Sequence, residues 1–372
     1  MCAAHDVAVP ARTTVVRAPG KLYIAGEYAV VEAGYPAVLI AVDRYVQVRV
    51  SPARDTGHIT SDQYASLSLE WHRRDNDMVI EPDQTPFDFV LAAIRVVEEA
   101  AVGLGASLEL YDLDITSELD DDAGRKFGLG SSAAVTVATV RALCEHYRLD
   151  LTRMEQLKLA LIASIEVQRS GSGGDVAASM FGGWIVYRAF DREWVRAERV
   201  ARSLTEMLAI DWPGLEVSRI VPPDRLRLVV GWTGSPASTA RLVSGVQARK
   251  GQRSVHYSRF LAESRSCVTE LAEALGRDDG VGIAAGIRRN RELLRGLGEH
   301  SGITIETPKL QRLIETAEAC GGAAKTSGAG GGDCGIVLID RDADIDGMLA
   351  AWERADIRPL NLRVHQPEGT VE

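Results

Sequence analysis

The sequence has few cysteines and no long hydrophobic run. Its five cysteines among 372 residues are scattered, odd in number and include no C-x-x-C pair. A disulfide framework or a cysteine-based zinc site is therefore not expected, and the pattern is typical of the reducing cytoplasm. No run of about 18 apolar residues is present, and residues 1–10 lack the basic start and apolar core of a signal peptide. We therefore expect a cytoplasmic protein with no membrane partner.

An excess of positive charge is also lacking. The chain has 42 lysines and arginines against 52 aspartates and glutamates, a formal net charge of −10. Because nucleic acids are bound by clustered cations, this balance argues against a nucleic-acid partner. An anionic substrate would have to meet a local basic cluster, since the global field does not attract it. The seven histidines show no metal-ligand spacing, so a histidine-based metal site is not expected.

Neither of the two common glycine-rich nucleotide motifs fits the chain well. No G-x-x-x-x-G-K-[ST] sequence is present, which excludes the usual P-loop. Gly128, Gly130 and Ala133 match G-x-G-x-x-A, but that dinucleotide fingerprint directly follows an apolar strand. The preceding residues, 118–126, have the composition of a solvated loop. A Rossmann-type site is therefore the disfavoured interpretation.

Three glycine-punctuated segments are the most informative feature of the chain. They are 18–28 (APGKLYIAGEY), 126–134 (KFGLGSSAA) and 325–334 (KTSGAGGGDC). In the middle segment, Gly128 and Gly130 allow a sharp turn close to a ligand, and Ser131 or Ser132 can cap the apolar helix that follows. A glycine turn that opens into a helix N-terminus suits a phosphate, although an ordinary strand-to-helix turn would have similar residues.

Five stretches together resemble the GHMP kinases. They are APGKLYIAGEYAVVEAGYPAVLIAVDRY, KFGLGSSAAV, SGSGGDVAASMFGGWIVY, VGWTGSPAST and KTSGAGGGDCGI. They occur in the family's order, from about Val15 to about Ile339, and are most similar to the branch that phosphorylates 5-phosphomevalonate. The resemblance implies an α+β fold with the active site between two domains. Residues 1–200 would form an N-terminal domain with a left-handed βαβ unit, and residues 201–372 a ferredoxin-like C-terminal domain.

The resemblance also implies an activity. The chain would transfer the γ-phosphoryl group of ATP, with Mg²⁺, to the small molecule 5-phosphomevalonate, giving 5-diphosphomevalonate and ADP in the mevalonate route to isoprenoids. Two alternatives remain open: mevalonate kinase or another small-alcohol kinase of the family, and a non-catalytic metabolite sensor on the same fold. The sequence indicates no oligomeric state.

Two residues match the family's catalytic positions. Lys21, just after Pro19-Gly20, corresponds to its catalytic lysine, and Asp175, in SGSGGD, corresponds to its catalytic aspartate. A phosphate monoester is mostly dianionic at neutral pH, so this acceptor has little need of a base. We therefore predict that Asp175 positions the substrate or the metal, and that Lys21 offsets the repulsion between two anions.

Further site residues are grouped by the ligand that each is expected to bind. The nucleotide is expected at Lys126, Gly128, Leu129, Gly130, Ser131, Ser132, Ala133, Gly328, Ala329 and Gly330. The substrate is expected at Lys21, Tyr23, Glu27, Ser172, Gly173, Asp175, Ser238, Thr239 and Arg241. Mg²⁺ is expected at Ser132 and Glu166. The glutamate ligand of related mevalonate kinases falls on Ser164 in this chain, and Glu166 lies two residues later.

Overall fold

The computed structural model describes residues 13–64, 67–80, 86–121, 123–235, 242–243, 245–246 and 254–367. The described strands are β1 (Thr14–Ala25), β2 (Pro36–Pro52), β3 (Gly57–Ser61), β4 (Ser68–Arg74), β5 (Asp77–Ile80), β6 (Tyr111–Ser117), β7 (Trp184–Arg188), β8 (Glu216–Ile220), β9 (Leu226–Trp232), β10 (Ala323–Thr326), β11 (Cys334–Asp340) and β12 (Arg358–Leu360). The described α-helices are α1 (Asp88–Gly103), α2 (Ser131–His146), α3 (Arg153–Val167), α4 (Gly174–Phe181), α5 (Arg192–Ala201), α6 (Leu204–Ala209), α7 (Ser254–Gly276), α8 (Gly280–Ser301), α9 (Pro308–Ala319) and α10 (Asp346–Arg354).

The larger sheet is built around the long strand β2. The strand order is β5-β4-β3-β6-β2-β7-β8, and β1 also pairs with β2. Pro36–Ile40 of β2 pairs with β7, whereas Val46–Pro52 pairs with β6. The first half of β2 is fully buried and the second half alternates between buried and more exposed residues, as expected where a sheet passes from the core to the surface.

One parallel pair, β3 with β6, makes this sheet mixed. The chain between the two strands runs through β4, β5 and α1. The parallel pairing agrees with the βαβ unit implied by the resemblance, whereas its left-handed sense stays a prediction.

The second sheet has the order β10-β11-β9-β12, and each of its neighbouring pairs is antiparallel. Numbered along the chain from β9, this is the order 2-3-1-4 of a ferredoxin-like β-α-β-β-α-β unit. Among the described helices, α7 to α9 lie in the first connection and α10 lies in the second. The ferredoxin-like arrangement predicted for the C-terminal part is therefore confirmed.

The two sheets share one continuous hydrophobic core. A single cluster of buried residues includes Leu39 and Ile185 of the large sheet and Val230 and Ile336 of the second sheet. Sheet membership changes between β8 and β9, and the segment after β12 returns to the large sheet, where the amide of Gly183 donates to the His365 carbonyl. The domain boundary at residue 200 stays a prediction. Within the described ranges, no helix is both long and apolar enough to cross a bilayer.

Candidate active site

A cavity of about 270 Å³ brings the three glycine segments together. The predicted site residues on its wall are Lys21, Tyr23, Glu27, Lys126, Gly128, Leu129, Gly130, Ser131, Ser132, Ala133, Ser172, Gly173, Asp175, Gly328 and Ala329. Sequence segments separated by more than a hundred positions therefore meet at one place, as a binding site requires.

Two predicted residues lie away from this wall, and three are outside the described residues. Gly330 packs against the Ile305 carbonyl, where an added Cβ would come within 2.2 Å of the oxygen. Its role is therefore to shape the loop, because it has no place on the wall. The predicted substrate residues outside the described part are Ser238, Thr239 and Arg241.

Glu166 is placed unfavourably for the metal role predicted for it. Its side chain is 40% exposed and lies 4.0 Å from Arg95, while Ser164 lines the cavity. Residues two positions apart on a helix face nearly opposite directions, so α3 cannot present both to the site. The hydroxyl of Ser164 is buried without a hydrogen-bond partner in the described part of the chain. We therefore withdraw Glu166 as a metal ligand.

The predicted glycine turn before α2 is present, but the helix cap predicted for Ser131 or Ser132 is not. Gly128 and Gly130 both have positive φ, 81° and 80°, which is the left-handed region that glycine tolerates. Helix α2 begins at Ser131, with Gly130 as its N-cap, and no described side chain caps it. The predicted cap by Ser131 or Ser132 is therefore wrong, since both serines lie inside the first turn. The uncapped amides at this helix N-terminus face the cavity and suit an anion.

Lys21 lies directly on this loop. Its side chain is buried, its amide donates to the Leu129 carbonyl at 2.8 Å, and its Nζ is 3.5 Å from the Gly128 carbonyl oxygen. A Cβ added to Gly130 would come within 2.8 Å of the Lys21 Cε. Glycine at 130 therefore leaves the space that the lysine stem occupies, which places the ammonium group beside the loop.

Asp175 lies in the first turn of α4, which is also capped only by glycine. The N-cap is Gly173, with φ 81° and no side-chain cap among the described residues. Asp175 Oδ1 accepts from the Val176 amide at 3.0 Å. The N-termini of α2 and α4 therefore meet at one cavity, and both place partial positive charge there.

Side chains that the sequence did not reveal hold the loop before Asp175. Arg196 donates to the carbonyl of Arg169 at 2.8 Å, Arg192 to that of Gly171 at 3.1 Å, and Tyr187 to that of Ser172 at 2.7 Å. No local motif marks these three donors, because they act only through the packing of β7 and α5 on the loop. Because three carbonyls within residues 169–172 accept hydrogen bonds from these side chains, the loop that leads to Asp175 is held in place.

Tyr23 connects this loop to the first glycine segment. Its hydroxyl is 3.0 Å from Ser172 Oγ, and either atom could be the donor. Burial, and then the neighbouring Asp175, raise the pKa of Tyr23 well above its usual value. The phenol therefore stays protonated and serves as a hydrogen-bonding group rather than as a base.

The third segment packs against the phosphate loop through Asp333 and Cys334. An added Cβ on Gly128 would come within 2.6 Å of the Asp333 carboxyl carbon, and Cys334 Sγ donates to the Phe127 carbonyl at 3.1 Å. The Asp333 carbonyl accepts from the Thr233 amide, and the Asp333 amide donates to the Ser235 carbonyl. Asp333 also lines the cavity, although no role was predicted for it from the sequence.

Comparison with known proteins identifies the family. Residues 88–183 match the model of the GHMP kinases N terminal domain, and residues 271–357 match the GHMP kinases C terminal model. The phosphomevalonate kinase of Streptomyces sp. (strain CL190) is 45% identical over 365 residues, which cover 94% of this chain and 97% of that protein. The chain belongs to the GHMP kinase family.

Two solved structures resemble this GHMP kinase along nearly its whole length. A Lin0012 protein from Listeria innocua has a TM-score of 0.90 and 35% identity, covering 96% of this chain and 99% of that one. The Streptococcus pneumoniae phosphomevalonate kinase in complex with phosphomevalonate and AMPPNP has a TM-score of 0.82 and 29% identity, covering 94% and 99%. The predicted two-domain α+β fold is confirmed.

The charges on the wall of this GHMP kinase are few. Within the described residues, the cations are Lys21 and Lys126, and the carboxylates are Glu27, Asp175 and Asp333. Other basic residues of the motifs are engaged elsewhere, since Arg125 pairs with Asp121 at 2.6 Å and Lys325 is buried against Glu27. The site therefore relies on helix N-termini as well as on lysines to balance anionic ligands.

Proposed function

We propose that this GHMP kinase transfers the γ-phosphoryl group of ATP to 5-phosphomevalonate. The observation that carries the proposal is the meeting of Lys21, Asp175 and the uncapped N-terminus of α2 in one cavity. Phosphoryl transfer needs mainly positioning and charge neutralisation, which these groups supply. The Streptomyces relative and the pneumococcal complex support the choice of acceptor.

On the nucleotide side, the first-turn amides of α2 and the hydroxyls of Ser131 and Ser132 would bind the ATP phosphates, with Lys126 at the rim. The oxygen donors fit Mg²⁺, which takes one or two carboxylates together with phosphate oxygens. Ser132 and Asp175 would hold the ion, and the hydroxyl of Ser164, which has no hydrogen-bond partner among the described residues, adds a polar oxygen to the same wall. When bound, Mg²⁺ neutralises charge on the phosphate oxygens.

On the acceptor side, two anions must approach each other. Lys21, beside the Gly128 carbonyl, would neutralise the transferred group, and the α4 N-terminus would favour the acceptor phosphate. Asp175 would orient the acceptor or the metal, because the attacking phosphate oxygen carries no proton that must be removed. Ser172 and Gly173 belong to the same wall, and the roles of Ser238, Thr239 and Arg241 remain part of this proposal.

The experiment is ADP release with Mg²⁺–ATP and, separately, 5-phosphomevalonate, mevalonate, homoserine and galactose. We expect turnover with 5-phosphomevalonate, a product heavier by one phosphoryl group in mass spectrometry, and its loss in Lys21→Met. Turnover with mevalonate alone would show that the acceptor is an alcohol. ATP binding without turnover on any acceptor would indicate a sensor.

The cellular setting belongs to the same proposal. The cytoplasmic location rests on the cysteine pattern, and the cysteines of the described part, Cys144, Cys267, Cys320 and Cys334, are all free. A kinase that uses ATP and a small phosphorylated metabolite would work in that compartment.

A further inference from the structure

The first and third glycine segments are joined by a series of direct contacts. The Tyr23 amide donates to Ser327 Oγ at 2.9 Å, and the same hydroxyl group donates to the Tyr23 carbonyl at 2.9 Å. The Tyr28 hydroxyl donates to the Ala329 carbonyl at 2.5 Å. These neutral hydrogen bonds join the end of β1 in the large sheet to the loop after β10 in the second sheet.

Between these neutral contacts lies a buried ion pair, Glu27 with Lys325. The two residues are 3% and 0% exposed, and the Lys325 ammonium donates to Glu27 Oε1 and, at 2.6 Å, to the Thr326 carbonyl. The same Glu27 oxygen lies 3.4 Å from the Gly328 amide. Glu27 therefore contacts both Lys325, in β10 at the start of the third segment, and Gly328, the first glycine of the turn that follows.

Stability alone does not account for this pair, because removing two charges from water costs about as much free energy as their attraction returns. The position of the pair beside the cavity points to a role at the binding site. Glu27 lines the cavity whereas Lys325 does not, so the ammonium group lies behind the carboxylate. A carboxylate without that cation, on the wall of a site for anions, would repel the ligands.

The other ionisable groups facing the pair are uncharged. Tyr23 and Tyr28 belong to the first segment and Cys267 to α7, and burial raises the pKa of Cys267 to about 11 and those of both tyrosines above their usual range. Burial lowers the pKa of Lys325, and the contact with Glu27 opposes that shift by favouring the charged ammonium. Within the described residues that face Glu27, Lys325 is the basic group paired with it.

We propose that Glu27 is a positioning residue and not a ligand of the substrate, and that its pairing with Lys325 holds the third glycine segment in the nucleotide-binding geometry while cancelling a charge on the cavity wall. This assignment rests on the proposed function only in taking the bound anion to be a nucleotide. It replaces the prediction that Glu27 contacts the substrate.

The test uses Lys325→Met, Glu27→Gln and the double variant, with Arg73→Met as a matched control. Arg73 pairs with the buried Glu98 at 2.7 Å and is not on the cavity wall, so its loss also leaves a buried carboxylate without its cation. Mg²⁺–AMPPNP affinity is measured by calorimetry without acceptor, which keeps the result independent of the acceptor. Folding of each variant is checked by circular dichroism.

We expect Lys325→Met to weaken AMPPNP binding by about tenfold or more, and the double variant to recover most of that affinity. In the double variant no unpaired charge remains, and the glutamine side-chain oxygen can still accept from the Gly328 amide that Glu27 contacts. Arg73→Met should lower the melting temperature and leave the affinity unchanged.

Two results would overturn the assignment. One is a double variant that binds AMPPNP as weakly as Lys325→Met does. The other is a KM for 5-phosphomevalonate that rises by about tenfold in the double variant with nucleotide affinity restored, since that would make Glu27 a substrate ligand. If the wild type binds AMPPNP but turns over no acceptor, the proposed function fails while this test still stands.

Discussion

Asp175 is held at the second position of α4, with Oδ1 bonded to the Val176 amide and the preceding loop fixed by Tyr187 and Arg192. Such fixation suits a group that orients a ligand, because orientation depends on the position of the carboxylate more than on its ability to accept a proton. The protonated Tyr23 beside it cannot act as a substitute base.

We expect Asp175→Asn to lower kcat by about 10- to 100-fold, and by a similar factor at every pH from about 6.5 to about 9. The reason is that the amide keeps the shape of the side chain but loses its negative charge, whereas the acceptor has no proton to give up. ADP release with 5-phosphomevalonate across this pH range is the measurement. A larger loss that disappears at high pH would show that Asp175 is a base.

At the scale of elements, the two helices that begin at the cavity share one structural feature, a glycine at the N-cap position. Gly130 precedes α2 and Gly173 precedes α4, each with positive φ and neither supported by a described side-chain cap. A serine or aspartate cap would stabilise each helix by about 1 kcal/mol but would occupy the amides with its own oxygen. At α2 the glycine cap therefore leaves the first-turn amides available for phosphate oxygens. At α4 the Gly174 amide already donates to Ser172 Oγ at 3.3 Å and the Val176 amide to Asp175 Oδ1 at 3.0 Å.

Gly130→Ala should lower kcat/KM by about tenfold or more, because the new methyl group would lie 2.8 Å from the Lys21 stem and push the lysine aside. Gly105→Ala is the matched control, since Gly105 has a similar φ of 85° but open space around its Cβ position. Both variants should lose about 1–2 kcal/mol of unfolding free energy because of the left-handed φ, measured in urea, and Gly130→Ala should lose more because of the clash. Equal kinetic losses in the two would show that the clash with Lys21 does not matter.

At the scale of the whole molecule, the two sheets are not independent units. One core cluster spans both, and the C-terminal segment after β12 bonds back to β2, where the His365 amide donates to the Ala41 carbonyl at 2.9 Å. The buried pair of Glu27 and Lys325 adds a polar link between the two sheets. The cavity is therefore enclosed by parts that depend on each other for their packing.

We expect a single cooperative thermal transition, with calorimetric and van't Hoff enthalpies that agree, because neither sheet can lose its partner without exposing the shared core. Differential scanning calorimetry measures this directly. As a control, a protease site engineered into residues 221–225, between β8 and β9, tests whether the two fragments fold independently after cleavage. Two separate transitions in the intact chain, or two folded fragments after cleavage, would contradict the expectation.

The sequence predicted the parts of the site whose physics is local. The glycines at 128 and 130 predicted a sharp turn, and both have the positive φ that glycine tolerates. The apolar helix that follows them predicted an anion site at its N-terminus. Lys21 and Asp175 were predicted because they match the catalytic positions of the family that the sequence resembles. The second half of β2 alternates between buried and more exposed residues, because successive side chains in a strand point to opposite faces.

The tertiary structure alone decided the features that depend on which face of a helix or strand contacts a residue distant in the sequence. The choice of Ser164 over Glu166 follows from the way α3 packs, and the holding of the Asp175 loop follows from Tyr187 and Arg192 on later elements. Glu27 and Lys325 are 298 positions apart. No local pattern could pair them, because a buried charge is stabilised by its neighbours in space and not by its neighbours in sequence.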